Sequence, residues 1–201
     1  MALQVKEMEL QREEMKDQRE EMQQQNESLR RQRFENTFFG MLELHNQVIS
    51  TVRSDNGGSS GRAAFGMLLA TLRGFSVGQV SGTHPTRPPS MDPIEKYERW
   101  YTDNESSVGH YFRTLYNIMR YVDEFGGNER RTYARLVRAQ LSSSELKLLF
   151  FNGLSRYGRE KFKPLIERYS LLKHLRTDAD IQNLDLKYDM AAFGDPNERL
   201  G

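Results

Sequence analysis

The chain has 201 residues, with 29 Lys and Arg against 28 Asp and Glu, and it contains no cysteine. A charge balance this close to zero lacks the global electrostatic footprint of a nucleic-acid binder or of a protein drawn to anionic membranes. The missing cysteines exclude disulfides, thiolate nucleophiles and Cys-ligated metals together, which fits a reducing compartment. No apolar run approaches the roughly 18 residues a membrane span needs and no signal-peptide pattern opens the chain, so as written it reads as soluble.

The first element is a repeat. Glu7 to Phe34 reads EMELQRE EMKDQRE EMQQQNE SLRRQRF, with Met8, Met15, Met22 and Leu29 at every seventh position and Gln11, Gln18, Gln25 and Gln32 three residues behind them. Its other residues are good helix formers, without Gly or Pro. A strict seven-residue period keeps a stripe on one side only if the helix supercoils against a partner. The second seam position, however, is Gln, or Val5, Arg12, Arg19 and Asn26 on the other side, which buries little. Residues 1–33 therefore read as a coiled-coil-like helical arm, either weakly self-associating or a single solvated helix held by i,i+4 pairs. At 1.5 Å per residue it would reach roughly 45–50 Å, which suits a spacer or an assembly handle.

From Phe34 the composition turns apolar at helical spacing, and residues 34–176 read as one all-α domain. FENTFFGMLELHNQVISTV continues the arm with a buried face. SDNGGSSG (Ser54–Gly61) is a flexible break, and RAAFGMLLATLRGF a short helix apolar on nearly every side. Residues 76–93 hold four of the six prolines and little to bury, so they form a long surface loop. PIEKYERWYTDN starts with a first-turn Pro, and SSVGHYFRTLYNIMRYVDEF (Ser106–Phe125) follows as a helix stopped by Gly126–Asn128. ERRTYARLVRAQL comes next, then SSSELKLLFFNGL, with a capping box of Ser142 and Glu145 at its start and Asn152-Gly153 as its stop. REKFKPLIERYSLLKHL is a last amphipathic helix in which Pro164 introduces a kink. The predicted core is Phe38, Leu42, Phe65, Leu68, Leu69, Phe112, Leu115, Met119, Leu136, Leu148, Leu149 and Leu165. Residues 177–201 form an acidic, loosely packed tail.

Two arrangements could carry chemistry. His110, Arg113 and Asn117 share one side of their helix, and Arg131, Arg135 and Arg138 make a stripe on the next. Folded as a hairpin, they would place an imidazole and an amide near several guanidiniums. That set can move protons near neutral pH and hold a phosphate, as metal-free phosphodiester cleavage requires. The plainer reading is a hydrogen-bonded His and solvated Arg residues laced to Asp123, Glu124 and Glu129. Arg168 and His174, in RYSLLKH, fit the loose Arg-x(4–6)-His spacing of HEPN-type ribonucleases, a spacing that arises readily by chance in an Arg-rich chain. His45, Asn46, Arg131, Arg135, Gln140 and Asn152 are candidate binding residues. His84 has no assignable partner. No cofactor or metal is expected, because phosphate-loop, dinucleotide and metal-ligand spacings are all missing.

The blocks FFGMLELHNQV, GRAAFGMLLATLRG, VGHYFRTLYNIMRYVD, YARLVRAQLSSSELKLLFFNGLS and KFKPLIERYSLLKHL, in that order, resemble the putative phage abortive infection protein family, over about Phe34 to Leu175. The resemblance implies a part in bacterial antiphage defence, in which an infected cell arrests or dies before phage progeny are released. It brings no established reaction and no defined catalytic residues. Members of that family often carry transmembrane helices ahead of such a coiled segment, so the heptads resemble a stalk. The expectations are therefore a cytoplasmic protein, or one held at the cytoplasmic face of the inner membrane by an anchor ahead of Met1 or by an anchored partner. It would self-associate through residues 1–33 and bind a phage or host protein as effector or sensor. A metal-independent HEPN-like ribonuclease acting on RNA is the alternative.

Overall fold

The structure is a computed structural model that describes residues 2–54, 58–74, 91–179 and 181–194. Among the described residues there are six α-helices: α1 (Ala2–Thr51), α2 (Arg62–Gly74), α3 (Pro93–Phe125), α4 (Arg130–Ala139), α5 (Ser143–Leu154) and α6 (Lys163–Arg168). Among the described residues there is no strand, only an isolated antiparallel bridge between Arg53 and Ser60. The fold is all-α with a long N-terminal helix, as the periodicity predicts. Compactness divides the chain into residues 1–40 and residues 41–201.

In the first unit the helix is exposed from Glu7 to Arg33. Its stripe lies open, Met8, Met15, Met22 and Leu29 being about half exposed at 54, 55, 61 and 49%. Ion pairs at i,i+4 brace it, among them Lys16 with Glu20 at 3.8 Å and Arg31 with Glu35 at 3.0 Å. Phe34 and Phe38 are buried and stacked, centroids 5.9 Å apart.

In the second unit α5 is the centre. Its capping box forms as predicted: the Glu145 amide donates to Ser142 Oγ at 3.3 Å, and the Ser142 amide donates to Glu145 Oε2 at 2.8 Å. Beyond that first turn every residue from Leu148 to Leu154 is buried, and α2, α3 and α6 pack around it. Helix α3 starts at Asp92, whose carboxylate accepts from the amides of Ile94 and Glu95. It runs unbroken for 33 residues to Gly126, where a Cβ would lie 2.5 Å from the Val122 carbonyl oxygen.

Several expectations need correction. PIEKYERWYTDN and SSVGHYF…F are one helix, because the polar Thr102–Ser107 stretch holds no breaker. Helix α2 is one-sided: Ala64, Phe65, Leu68, Leu69 and Leu72 are buried, but Ala63, Gly66, Met67 and Ala70 are exposed. Helix α5 passes through Asn152 and Gly153 to end at Ser155. Pro164 opens α6 rather than kinking a longer helix; α6 ends at Arg168, and the turns that follow it run to His174, with Ser170 at φ 51°. Leu136 is 43% exposed, since the buried face of α4 is Tyr133, Ala134 and Val137 and Leu136 falls beside it. The other eleven predicted core residues are buried. The break at Ser54–Gly61 is pinned at its ends, Ser54 donating to the Ser59 carbonyl and Gly61 to that of Val52. The tail is packed as far as Gly194: Ile181, Tyr188 and Ala192 are buried, and Leu172 donates to the Ala192 carbonyl. The loop placed at residues 76–93, with His84, falls outside the described residues apart from Met91–Pro93.

Candidate functional site

The α3 stripe is accessible. His110, Arg113 and Asn117 are all exposed on that helix. Gly109, beside His110, is buried, and a Cβ there would stand 3.2 Å from Glu105 Cγ and 3.6 Å from both the Arg113 guanidinium and the Tyr101 hydroxyl. The missing side chain lets these three groups close over the backbone. Burial first, then the Glu105 charge, raises the Tyr101 hydroxyl pKa, so it stays a neutral donor. Tyr101 also packs against Tyr157, centroids 4.2 Å apart and rings tilted by 33°. The Tyr157 hydroxyl lies 2.9 Å from Thr102 Oγ1 and accepts from Arg156 at 2.9 Å. The result is a surface of aromatic edges, hydroxyls and guanidiniums along the first half of α3, suited to holding a polar or anionic group.

The remaining sequence candidates scatter. Arg138 is half-buried and donates to the Ser170 carbonyl at 3.0 Å, tying α4 to the end of α6. Arg131 and Arg135 are exposed on α4, Arg135 donating to Thr132. Arg168 donates through one nitrogen to both oxygens of Asp123 at 2.7 Å, and Tyr169 donates to the same carboxylate at 2.6 Å. His174 is exposed. Arg168 thus has a carboxylate where a phosphate clamp would need an open guanidinium. Asn152 is buried and donates to the Tyr97 hydroxyl at 3.2 Å, Gln140 offers its backbone carbonyl to Arg62, and Asn46 is exposed.

His45 leads to a cluster that spacing does not reveal. It is 2% exposed, and its Nδ1 lies 2.8 Å from Thr114 Oγ1. That hydroxyl is also 3.0 Å from the carbonyls of His110 and Tyr111 and donates its proton to them, as Thr residues do inside helices. Nδ1–H must then be the donor to Thr114, which leaves the Nε2 lone pair facing inward, where it has no hydrogen-bond partner. Burial first, and then the Arg62 guanidinium, lowers the imidazole pKa from 6.5 to about 4. The ring is neutral at physiological pH.

Beside it stands Tyr111, its ring 5.0 Å from that of His45, and against the Tyr111 hydroxyl lies Glu145, fully buried. Arg62 donates to Glu145 Oε2 at 3.1 Å, while Oε1 has no hydrogen-bond partner. The Tyr111 hydroxyl lies against this carboxylate without closing a hydrogen bond, and its pKa is raised well above the ordinary value by burial and then by the Glu145 charge. A neutral imidazole acceptor, a phenol donor and a carboxylate therefore meet under one guanidinium. All three are shut away from solvent.

Residues 103–179 match the family model described as putative phage abortive infection protein. No curated protein and no solved structure matches the chain. The abortive-infection match runs from inside α3 through α6. It contains every sequence-predicted catalytic candidate (His110, Arg113, Asn117, Arg138, Arg168 and His174) together with Tyr111, Thr114 and Glu145 of the buried cluster. His45 and Arg62 lie ahead of it.

Arg62, Tyr111, Thr114 and Glu145 are the residues sequence reasoning passed over. Tyr111 sits on the apolar face of α3, and the capping box accounts for Glu145 in the sequence. The available signal was that Glu145 is the only charge facing an otherwise apolar SSELKLLFF run on its buried side. Elsewhere, a cavity of about 330 Å³ lies among α2, the start of α3, Phe151, Ala179, Gln182 and Leu184. Its walls are Leu69, Leu72, Phe151 and Leu184, with Arg73 and Lys96 at the rim, and none of the predicted site residues lines it. No group of three His, Asp or Glu able to hold a metal occurs among the described residues. Nor is any helix among them long and apolar enough to cross a membrane.

Proposed function

We propose that this protein is a bacterial antiphage defence protein of the abortive infection type. It acts in the cytoplasm, or at the cytoplasmic face of the inner membrane, as an effector or sensor. Its helical domain binds a phage or host component, and residues 1–33 serve assembly. The observation that carries this reading is the match of residues 103–179 to the abortive infection family. The binding surface we assign is the exposed side of α3 at His110, Arg113 and Asn117, next to the Tyr101–Tyr157–Arg156 group. Solvent-facing polar and aromatic side chains on a rigid helix are the kind of surface that recognises a partner.

A ribonuclease reading draws on the same accessible His110 and Arg113, which could serve as proton carrier and phosphate clamp. One experiment separates the two. The protein is expressed in a phage-sensitive bacterium and challenged with a phage panel, as wild type and as His110→Ala with Arg113→Ala. The wild type should lower plating efficiency, and the double variant, at equal protein level, should lose protection. No protection against any phage by the wild type would overturn the reading. In parallel, the purified protein is incubated with total and transfer RNA in EDTA. Cleavage that His110→Ala abolishes would establish the ribonuclease, and intact RNA beside retained defence would support the binder.

A further inference from the structure

We infer that the arm binds a second copy of itself as a parallel, in-register, two-stranded coil whose orientation is fixed by charge. With Met8, Met15, Met22 and Leu29 as the first seam position of each heptad, Gln11, Gln18, Gln25 and Gln32 become the second. The flanking residues then sort by sign: Glu7, Glu14 and Glu21 precede the seam, and Arg12, Arg19 and Arg33 follow it. The one uncharged pairing partner in the Arg series is Asn26, and Ser28 interrupts the Glu series.

In a parallel pair, the residue before one heptad's seam meets the residue five positions on in the partner helix. Glu7 would face Arg12 of the second copy and Glu14 its Arg19, with both pairs repeated by symmetry. In an antiparallel pair, Glu would meet Glu and Arg would meet Arg. The i,i+5 spacing makes no pair within one helix. Consistent with this, Glu7, Arg12, Glu14 and Arg19 form no ion pair among the described residues, and the arm's internal pairs use Lys16–Glu20 and Arg31–Glu35 instead. The seam itself is open, its four apolar side chains about half exposed. It lacks apolar residues at every second layer, so association is weak and the flanking charges decide the partner and its direction. This inference rests on the arm's own residues and not on the defence reading.

Sedimentation equilibrium of the full chain tests it, with Arg12→Glu/Arg19→Glu, with Glu7→Arg/Glu14→Arg, and with the two variants mixed. Wild type should reach dimer at concentrations on the order of tens of micromolar. Each variant alone should dimerise about tenfold or more weakly, because attraction becomes repulsion at four flanking contacts. The mixture should recover dimer, since the changed charges complement each other. Direction is read separately: the chain has no cysteine, so Gln11→Cys introduces a single thiol. Oxidation should then give a covalent dimer in the wild-type background and little in the Arg-to-Glu background. A wild type that stays monomeric, a trimer, a mixture that fails to recover, or absence of the disulfide would each overturn the inference. A phage-protection result of either sign leaves it untouched.

Discussion

The pKa of His45 turns the buried cluster into a measurable pH dependence of stability. Folding lowers this pKa from 6.5 to about 4, so between those values the unfolded chain binds a proton that the folded chain refuses. Stability must therefore fall as pH drops below 6.5, with a slope of about 1.4 kcal/mol per pH unit, and the loss is complete below about 4. Over the window this amounts to about 3 kcal/mol, a large part of the stability of an ordinary domain. The perturbation is His45→Gln, which keeps an amide able to reach Thr114 but cannot titrate. Urea unfolding of both proteins at one fixed concentration, at half-unit steps from pH 7.5 to 4.5, isolates the term as the difference between them. At pH 7.5 the variant should be less stable by about 1–2 kcal/mol, for the lost ring packing and hydrogen bond. As pH falls the difference should shrink and then change sign. Other carboxylates titrate equally in both proteins and cancel. A difference that stays constant across the range would refute the assignment of a neutral, desolvated imidazole.

Two further results follow from the packing. At Gly153 a Cβ would stand 2.1 Å from the Tyr188 hydroxyl, which donates to the Phe150 carbonyl at 2.9 Å. Gly153→Ala should lower stability by about 1–3 kcal/mol in thermal unfolding, and Tyr188→Phe in the same chain should return part of it, whereas simple additivity would count against the clash. Leu136→Ala should change stability by less than about 0.5 kcal/mol, whereas Leu148→Ala, fully buried, should cost about 2–5 kcal/mol; equal effects would show that the exposed leucine is covered in solution.

Helical periodicity carried most of the fold. Ten core positions were legible because α1, α2, α3 and α5 each present an apolar stripe at helical spacing, Leu165 on α6 making the eleventh, and the Ser142–Glu145 box marked a helix start because both of its hydrogen bonds are local. The failures have a common cause. Leu136 was placed inside because α4 is short and its buried face is made of small and aromatic residues, so a leucine beside that face looks like part of it. The 177–194 segment reads as tail because its three anchors, Ile181, Tyr188 and Ala192, are too sparse to make a period, yet each fills a place prepared by distant residues. Of the site, His110 and Arg113 were legible as polar positions opposite an apolar stripe. The His45 cluster was not, because it joins residues up to 100 positions apart in sequence (His45 to Glu145), and only folding brings them together.

That separation also bears on what the cluster does for the fold. In the Arg62–Glu145 pair the carboxylate is fully buried while the guanidinium is 42% exposed, so removing Arg62 leaves a charge stranded in the interior. Glu145 is held at Oε2 by the Ser142 amide and by Arg62, with the Tyr111 hydroxyl beside the carboxylate. Shifting α2 by one turn along α5 would carry Arg62 about 5 Å away and leave the carboxylate unpaired. An apolar contact of the same size would tolerate such a slip with a smaller loss. The cluster therefore fixes the register of α2 against α5, and through Tyr111 and Thr114 that of α3 and of the His45 segment. The consequence for function is positional. Thr114 and Tyr111 are close neighbours of His110 and Arg113 on α3, so the same contacts that set register hold the exposed stripe in place. A change at Arg62 or His45 should thus disturb the α3 surface even though neither residue reaches it.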